Sequence, residues 1–498
     1  MRYSLLLGLI GLFSACSDGG PPAPLSPFLP AASPPATSSA DGDDPVTGPA
    51  GADSRLLLAP TRPPEITGCD VRRCRVKSLS PQIVARLREN PDRLLTFEPG
   101  ATAADLATLK LFPQVRRLEL SHIPQPELAL LKNAKELVEL RLGRTQLRDL
   151  SALRPFVKLT HLVLFEVPFV DASPLAGLTQ LRMLDLSRCA EVRDFTFLAA
   201  LTRLDSLLLA GTSFSDLALL APLSQLRELS LGQTQVTVEN LDALAGLTRL
   251  EGLHLDGLAQ LADLSALAQL VELRHLGISG TAVRDLTALA KLAQLRSLKL
   301  NKTAVRSLAP LAKSARLHSL FMQDTAISDL SPLRDLKELR WLHAARTPVA
   351  SLSALSGLGL TTLDLSGTRV RQLDALSKCQ QLERLFLGQT SVSDVTPLSG
   401  LPLLFLDLSR TKVTRIDALA TLHRLTSVSL AHTAVKDLSP LSGLAALDQL
   451  DITGVTLEKS EVLLKIPALK KLVFTDRLMD AAIRKNLADK GVELIVVP

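Results

Sequence analysis

The chain has 498 residues, of which 46% are hydrophobic but only 3% aromatic, and its net charge is +6. That length supports a large buried core, and with so few rings Leu and Ala must build it. Acidic and basic residues are interspersed along the chain rather than gathered in a basic stripe, which argues against a nucleic-acid groove.

Arg2 supplies a positive charge, residues 5–13 an apolar run, and Ser14-Ala15-Cys16 a small-residue site ending in Cys. These are the parts of a targeting segment. The segment 1–15 resembles a bacterial lipoprotein signal peptide. The resemblance implies that Cys16 is lipidated after cleavage, with an ordinary secretory signal as the alternative. An Asp after the Cys favours inner-membrane retention in enteric bacteria, and Ser17 stands there instead, which points to the outer membrane. No other stretch offers 18 uninterrupted apolar residues, so no transmembrane helix is expected and the membrane is met through the lipid alone.

Residues 16–65 are rich in Pro, Gly, Ser and Ala. Such a segment cannot bury enough apolar surface to fold, and its prolines make it a semi-extended tether. Residues 66–93 read as an N-terminal cap. Cys69 and Cys74 lie close together there, and in an exported, oxidising context they are expected to form a disulfide. Closing so short a loop stabilises by roughly 2 kcal/mol in the chain-entropy model. No second pair of ligands lies nearby, so a metal site is not expected. Ser80-Pro81 then opens an amphipathic helix to Glu89, placed to cover the apolar edge of the segment that begins at residue 94.

From residue 94 to 476 a beat of about 22 residues repeats. The segments 137–145, 295–303 and 382–390 each read L-x-x-L-x-L-x-x-T. The third Leu of the pattern recurs at Leu120, Leu142, Leu164 and Leu186, and onward through Leu300 and Leu408 to Phe474. Self-similarity at that period signals a solenoid, in which each unit buries its apolar edge against its neighbours. In L-x-x-L-x-L alternate residues of a short strand point inward. One strand per unit gives a parallel sheet, and about seventeen strands at ~4.8 Å span on the order of 80 Å. Ser or Thr precedes Pro in Ser173-Pro174, Ser331-Pro332, Thr396-Pro397 and Ser439-Pro440. A hydroxyl N-cap before Pro is expected to open a short helix or 3-10 turn on the return path. Asp149, Asp216, Asp285, Asp329, Asp394 and Asp437 each lie four residues after the ninth-position Thr. Their recurrence marks them as turn or cap residues.

This pattern resembles the leucine-rich repeat, in the 22-residue bacterial form of internalins and of a protein-phosphatase regulatory subunit. The resemblance implies an α/β solenoid: a right-handed horseshoe with a parallel concave β-sheet and short helices or 3-10 turns on the convex side. The ninth position departs from the family. It is usually Asn there, but eleven units of this chain carry Thr, from Thr145 to Thr433. Its hydroxyl is expected to serve a similar hydrogen-bonded ladder inside the stack. Ile123, Val167, Leu258 and Val455 fill the slot by packing alone. Cys189 on that slot and Cys379 on the return side read as small buried hydrophobes. A C-terminal cap is expected over 477–498, as a helix followed by a last strand over 492–497.

No H-E-x-x-H, G-x-S-x-G, phosphate-binding loop or C-x-x-C occurs, so neither an enzyme nor a cofactor is expected. Function must then sit on a surface. The third, fifth, seventh and eighth repeat positions face out from the sheet. There they collect Phe321, Trp341, His343, Arg346, Arg384, Phe386 and Phe405, unusual in so aromatic-poor a chain. Trp, Phe and Arg anchor protein interfaces disproportionately; the alternative is that the rings pack on one another as ordinary sheet-surface pairs. His254 and His275 on adjacent strands form a weaker cluster. The expectation is a monomeric, non-enzymatic lipoprotein of a bacterial envelope that grips a protein or a glycan on its concave sheet. The competing readings are an intracellular regulatory subunit and a structural spacer or adhesion component.

Overall fold

The computed structural model describes residues 72–497, except 237, 477, 478 and 480. All of these lie in the unit Ile66–Pro498. Cys16, the signal segment, the tether and Cys69 fall outside the described residues. Cys74 is fully buried and disulfide-bonded.

Twenty strands form one sheet. It opens with β1 (Arg73–Val76) and β2 (Leu94–Phe97). Between them lies helix α1 (Pro81–Glu89), where the Ser80 hydroxyl accepts from the Ile83 N–H and Pro81 stands at the first position. Three-residue strands follow, one per unit, from β3 (Arg117–Glu119) to β18 (Gln449–Asp451). After β19 (Lys471–Thr475), helix α3 (Ala481–Asp489) leads to β20 (Glu493–Val497); α2 (Ala103–Ala107) is the one other α-helix among the described residues. Each strand pairs in parallel with the next in sequence, as in Leu298↔Leu320, Leu320↔Leu342 and Leu342↔Leu363. The period of two therefore stacks every inward Leu on an inward Leu of the neighbouring unit. The core is one continuous cluster of such side chains. Burying each contributes roughly 1.5–3 kcal/mol. On the return path, 3-10 turns such as Ser331–Leu333 and Asp417–Thr421 replace full helices.

Two local devices differ from the sequence expectation. The first concerns the Ser-Pro turns. Ser173, Ser331, Thr396 and Ser439 are the first residues of their turns, not the caps. The N-cap positions themselves hold Ala172, Leu330, Val395 and Leu438, and the capping side chain is that of the Asp two residues before the Ser or Thr. Asp171, Asp329, Asp394 and Asp437 each accept the backbone N–H of that Ser or Thr at 2.8 Å. A carboxylate is the stronger acceptor for an orphan N–H. The N–H and hydroxyl of Ser439 hold the Asp437 carboxyl below its ordinary value.

The second concerns the Thr column. Among the described residues the threonines of this column form no side-chain ladder between units. Ten of the threonines instead donate Oγ1 to the carbonyl three residues back, within their own unit, at 2.6–2.8 Å. Thr145 Oγ1 has no partner at all. Each hydroxyl thus closes a turn whose preceding residue is left-handed. That eighth position has φ of 54–67° at eleven non-glycine residues, Lys302 and Arg346 among them, a region that costs roughly 1–2 kcal/mol. The ladder between units is backbone: Arg144, Arg188 and Arg346 donate their N–H to Phe165, Ala210 and Ser366 of the next unit at 2.7 Å. Those bonds over-determine the strained residue. Cys189 is the exception on the slot, since its thiol reaches the Leu164 carbonyl of the previous unit at 3.0 Å. Burial pushes that thiol up to about 12, so it is an inert core residue.

Thr411→Val is expected to cost about 1 kcal/mol, the net value of one hydrogen bond. The shape fits, because Val167 and Val455 occupy the same slot fully buried. The Leu408 carbonyl keeps the Thr411 backbone N–H. Chemical denaturation reads the loss; no change would mean that the hydroxyl does not hold the turn.

Candidate functional site

Side chains at the third and fifth repeat positions stand on the open face of the sheet, because the inward Leu lies between them. The relevant strands are β12 (Ser319–Phe321), β13 (Trp341–His343), β14 (Thr362–Asp364), β15 (Arg384–Phe386) and β16 (Phe405–Asp407). Register sets Phe321, His343, Asp364 and Phe386 in one row, and Ser319, Trp341, Thr362, Arg384 and Phe405 in the other.

The seven residues singled out from the sequence do not form one patch. Phe321 and His343 stack, with centroids 4.8 Å apart and planes at 11°. Trp341 is 37% exposed. Its flanking neighbours Ser319 and Thr362 are too small to cover it, and His318 leans on it edge-on at 5.2 Å. Asp364 closes this group. His343 Nδ1 lies 3.8 Å from its Oδ2, and the Ser366 N–H donates to its Oδ1 at 3.0 Å. Burial pushes the Asp364 carboxyl up, but the bonds from His343 and Ser366 outweigh it and hold the group below its ordinary value.

Beyond Thr362 a second group begins. Phe386 and Phe405 pack at 4.7 Å, and the Arg384 guanidinium lies over both rings at 5.9 and 5.5 Å. The repeat pattern turns Phe405 toward solvent, yet it is only 5% exposed. It stands on the open face but is sealed by Phe386 and Arg384, as ordinary cross-strand pairing allows. Arg346 belongs to neither group. It sits on the left-handed turn row, where Asp324 binds it with two hydrogen bonds of 2.6 Å. Among these residues Trp341 alone presents a large uncovered apolar surface.

His318 is the residue that sequence reading missed. It occupies the second repeat position, outside the columns assigned to the open face; its nearness to Trp341 follows from strand register. The N-terminal strands carry a different surface. Glu139 there is held by Arg117 and Arg141, both at 2.6 Å, and Glu119 lies 3.7 Å from Arg73. His254 is taken by Glu228 at 3.0 Å, and burial holds His275 below its ordinary value. Among the described residues no three His, Cys, Asp or Glu side chains gather as metal ligands, and no helix is long and apolar enough to cross a membrane.

No protein-family model and no curated protein matches this chain. Solved structures do. The functional domain of InlJ from Listeria monocytogenes is similar with a TM-score of 0.55 and 20% identity, over 69% of this chain and 74% of that one. The leucine-rich-repeat ectodomain of the Arabidopsis receptor kinase HAESA, in complex with a peptide hormone, gives 0.52 and 17% over 74% and 71%. A leucine-rich-repeat protein of Leptospira interrogans gives 0.49 and 17% over 84% and 99%. With its parallel sheet and 3-10 returns, the fold of this chain is a leucine-rich-repeat solenoid, an architecture that is typically non-catalytic.

Proposed function

We propose that this is a non-enzymatic, protein-binding leucine-rich-repeat lipoprotein of a bacterial envelope. The observation that carries the binding reading is the uncovered Trp341, the one Trp of the chain, on the open sheet face. A solvated indole gains most when a partner desolvates it. His318 packs edge-on against it, and the stacked Phe321–His343 pair stands on the same and the adjacent strand; side chains already held by such contacts lose less entropy on binding. That the HAESA ectodomain holds a peptide hormone is in keeping with a solenoid used as a binding surface. The test is capture of a partner by the unit Ile66–Pro498 from envelope extracts, run beside its Trp341→Ala and Lys299→Ala variants. A partner retained by wild type and Lys299→Ala but lost by Trp341→Ala supports the reading. A partner retained equally by all three moves the site off this face.

The envelope part rests on Arg2, the apolar run 5–13 and Cys16. Cys16→Ala is expected to abolish incorporation of labelled fatty acid and to release the protein from the membrane fraction. A variant that stays membrane-bound after a high-salt wash overturns the lipid anchor.

A further inference from the structure

Between β3 and β18 three guanidiniums stand in the third and fifth columns of the open face: Arg117, Arg141 and Arg384. Arg117 and Arg141 share the Glu139 carboxylate, each at 2.6 Å. Arg384 forms neither an ion pair nor a hydrogen bond among the described residues. Its flat face lies over the Phe386 and Phe405 rings, which leaves the N–H groups along its edge free. Glu383 beside it lies 3.7 Å from Arg424, and Asp364 on β14 is taken by His343 and Ser366. Burial holds the Arg384 pKa below its ordinary value, which the charge of Glu383 only partly offsets. That is the condition of a cation short of an anion. Register adds a second, independent feature. Along the same column Arg384 pairs with Thr362, and Thr362 with Trp341. Parallel strands lie about 4.8 Å apart, so the open indole and the unmatched guanidinium stand about 9.6 Å apart with only a threonine between. Thr362 is half-buried, and its hydroxyl bonds nothing among the described residues. On the other side of the indole Arg340 donates to the Lys337 and Leu339 carbonyls at 2.8 and 3.2 Å and also lacks a carboxylate.

We infer that the seat over Thr362, between Trp341 and Arg384, receives an aspartate or glutamate side chain from an extended acidic segment of the protein partner. The inference rests on the binding function proposed above and names the chemistry of the partner. The guanidinium edge offers two parallel N–H donors, the geometry that a carboxylate accepts in bidentate fashion. The Thr362 hydroxyl supplies a third donor. The two rings already fix the fork, so forming the pair orders little that is not ordered in the free chain. A half-buried site also screens the pair less than open water does. Arg340 on the far side adds the same sign of field, while Asp364 and Glu383 are answered within the chain. The face around the indole is therefore complementary to an acidic segment and not to a basic one. A neighbouring apolar side chain of that segment would cover Trp341.

The probe is a labelled hexaglutamate peptide, titrated by fluorescence anisotropy against the full chain at fixed ionic strength, with hexaglutamine as the neutral control. Hexaglutamate should bind saturably and hexaglutamine should not. Arg384→Gln should weaken binding by about tenfold or more, the scale of one charge-assisted pair. Arg384 also covers Phe386 and Phe405, so that variant is read beside Thr362→Met, which keeps every charge and fills the seat. Met183 opens β6 as Thr362 opens β14, so the fold is retained, as circular dichroism would show. Thr362→Met should also lose about tenfold. Arg410→Gln removes the same charge from the turn row, where Gln389 holds the same left-handed position, and should change affinity by less than about twofold. No binding of hexaglutamate, unchanged affinity in Thr362→Met, or equal losses in Arg384→Gln and Arg410→Gln overturns the inference. The probe brings no apolar side chain to the indole, so any of these results leaves the Trp341-dependent capture experiment standing, and the two proposals fail separately.

Discussion

Leu300→Ala is expected to destabilise the solenoid by about 2–5 kcal/mol, while Lys299→Ala beside it changes stability by no more than about 0.5 kcal/mol. Leu300 is fully buried, at the repeat position occupied by Ile278 and Met322 in the flanking units. Its N–H and carbonyl are also committed, to the Phe321 carbonyl and to Thr303 Oγ1, both at 2.8 Å. Those bonds pin the backbone, so the unit cannot collapse to fill the space of the lost side chain. The cost is then transfer free energy plus an unrelaxed cavity. Lys299 points to the open face and is held by no ion pair among the described residues. In a repeat array the loss is also felt by the two neighbouring interfaces. The readout is the shift in denaturant midpoint at unchanged slope, which separates stability from a change in cooperativity. Equal shifts for the two variants would show that the assignment of inward and outward columns is off.

That register was legible because a period of two within a period of 22 dictates which way each side chain points. The fold followed from it, and so did the roles of Asp329 and Asp437 as turn residues. What the pattern could not convey is which partner a polar group chooses. Thr411 can bond across units or within its own, and the choice falls to the left-handed Arg410 before it, which turns the hydroxyl back toward Leu408. A non-glycine residue there violates local preference, and only the backbone ladder to the next unit explains why it is tolerated. Exposure was the least legible quantity. Phe405 and Trp341 occupy the same column, yet one is sealed and the other open. The difference lies in neighbours about 20 residues away: Phe386 and Arg384 beside Phe405, Ser319 and Thr362 beside Trp341. His318 escaped notice for the same reason, since register rather than sequence proximity brings it to the indole.

Trp341→Ala is the binding counterpart, with an expected loss of at least about 2 kcal/mol in affinity for the captured partner, or roughly thirtyfold. An indole that is 37% exposed in the free chain supports little of the fold, so the variant should unfold at an unchanged denaturant midpoint. Its apolar area is instead available to a partner, and its orientation is already set by His318 and the flanking strands. Substitutions at His318 and Phe321 should couple with it rather than add, because His318 packs against the indole and Phe321 stands on the strand paired with its own. Phe405→Ala should behave differently. That ring is buried against Phe386 and beneath Arg384, so its removal should lower stability as well as any affinity. Glu119→Ala, on β3 and far along the sheet from the indole on β13, should leave binding unchanged. The measurement is affinity by calorimetry for wild type and each variant, with denaturation run in parallel. A folded Trp341→Ala chain that binds as tightly as wild type would place the partner on the turn row or the 3-10 side of the solenoid.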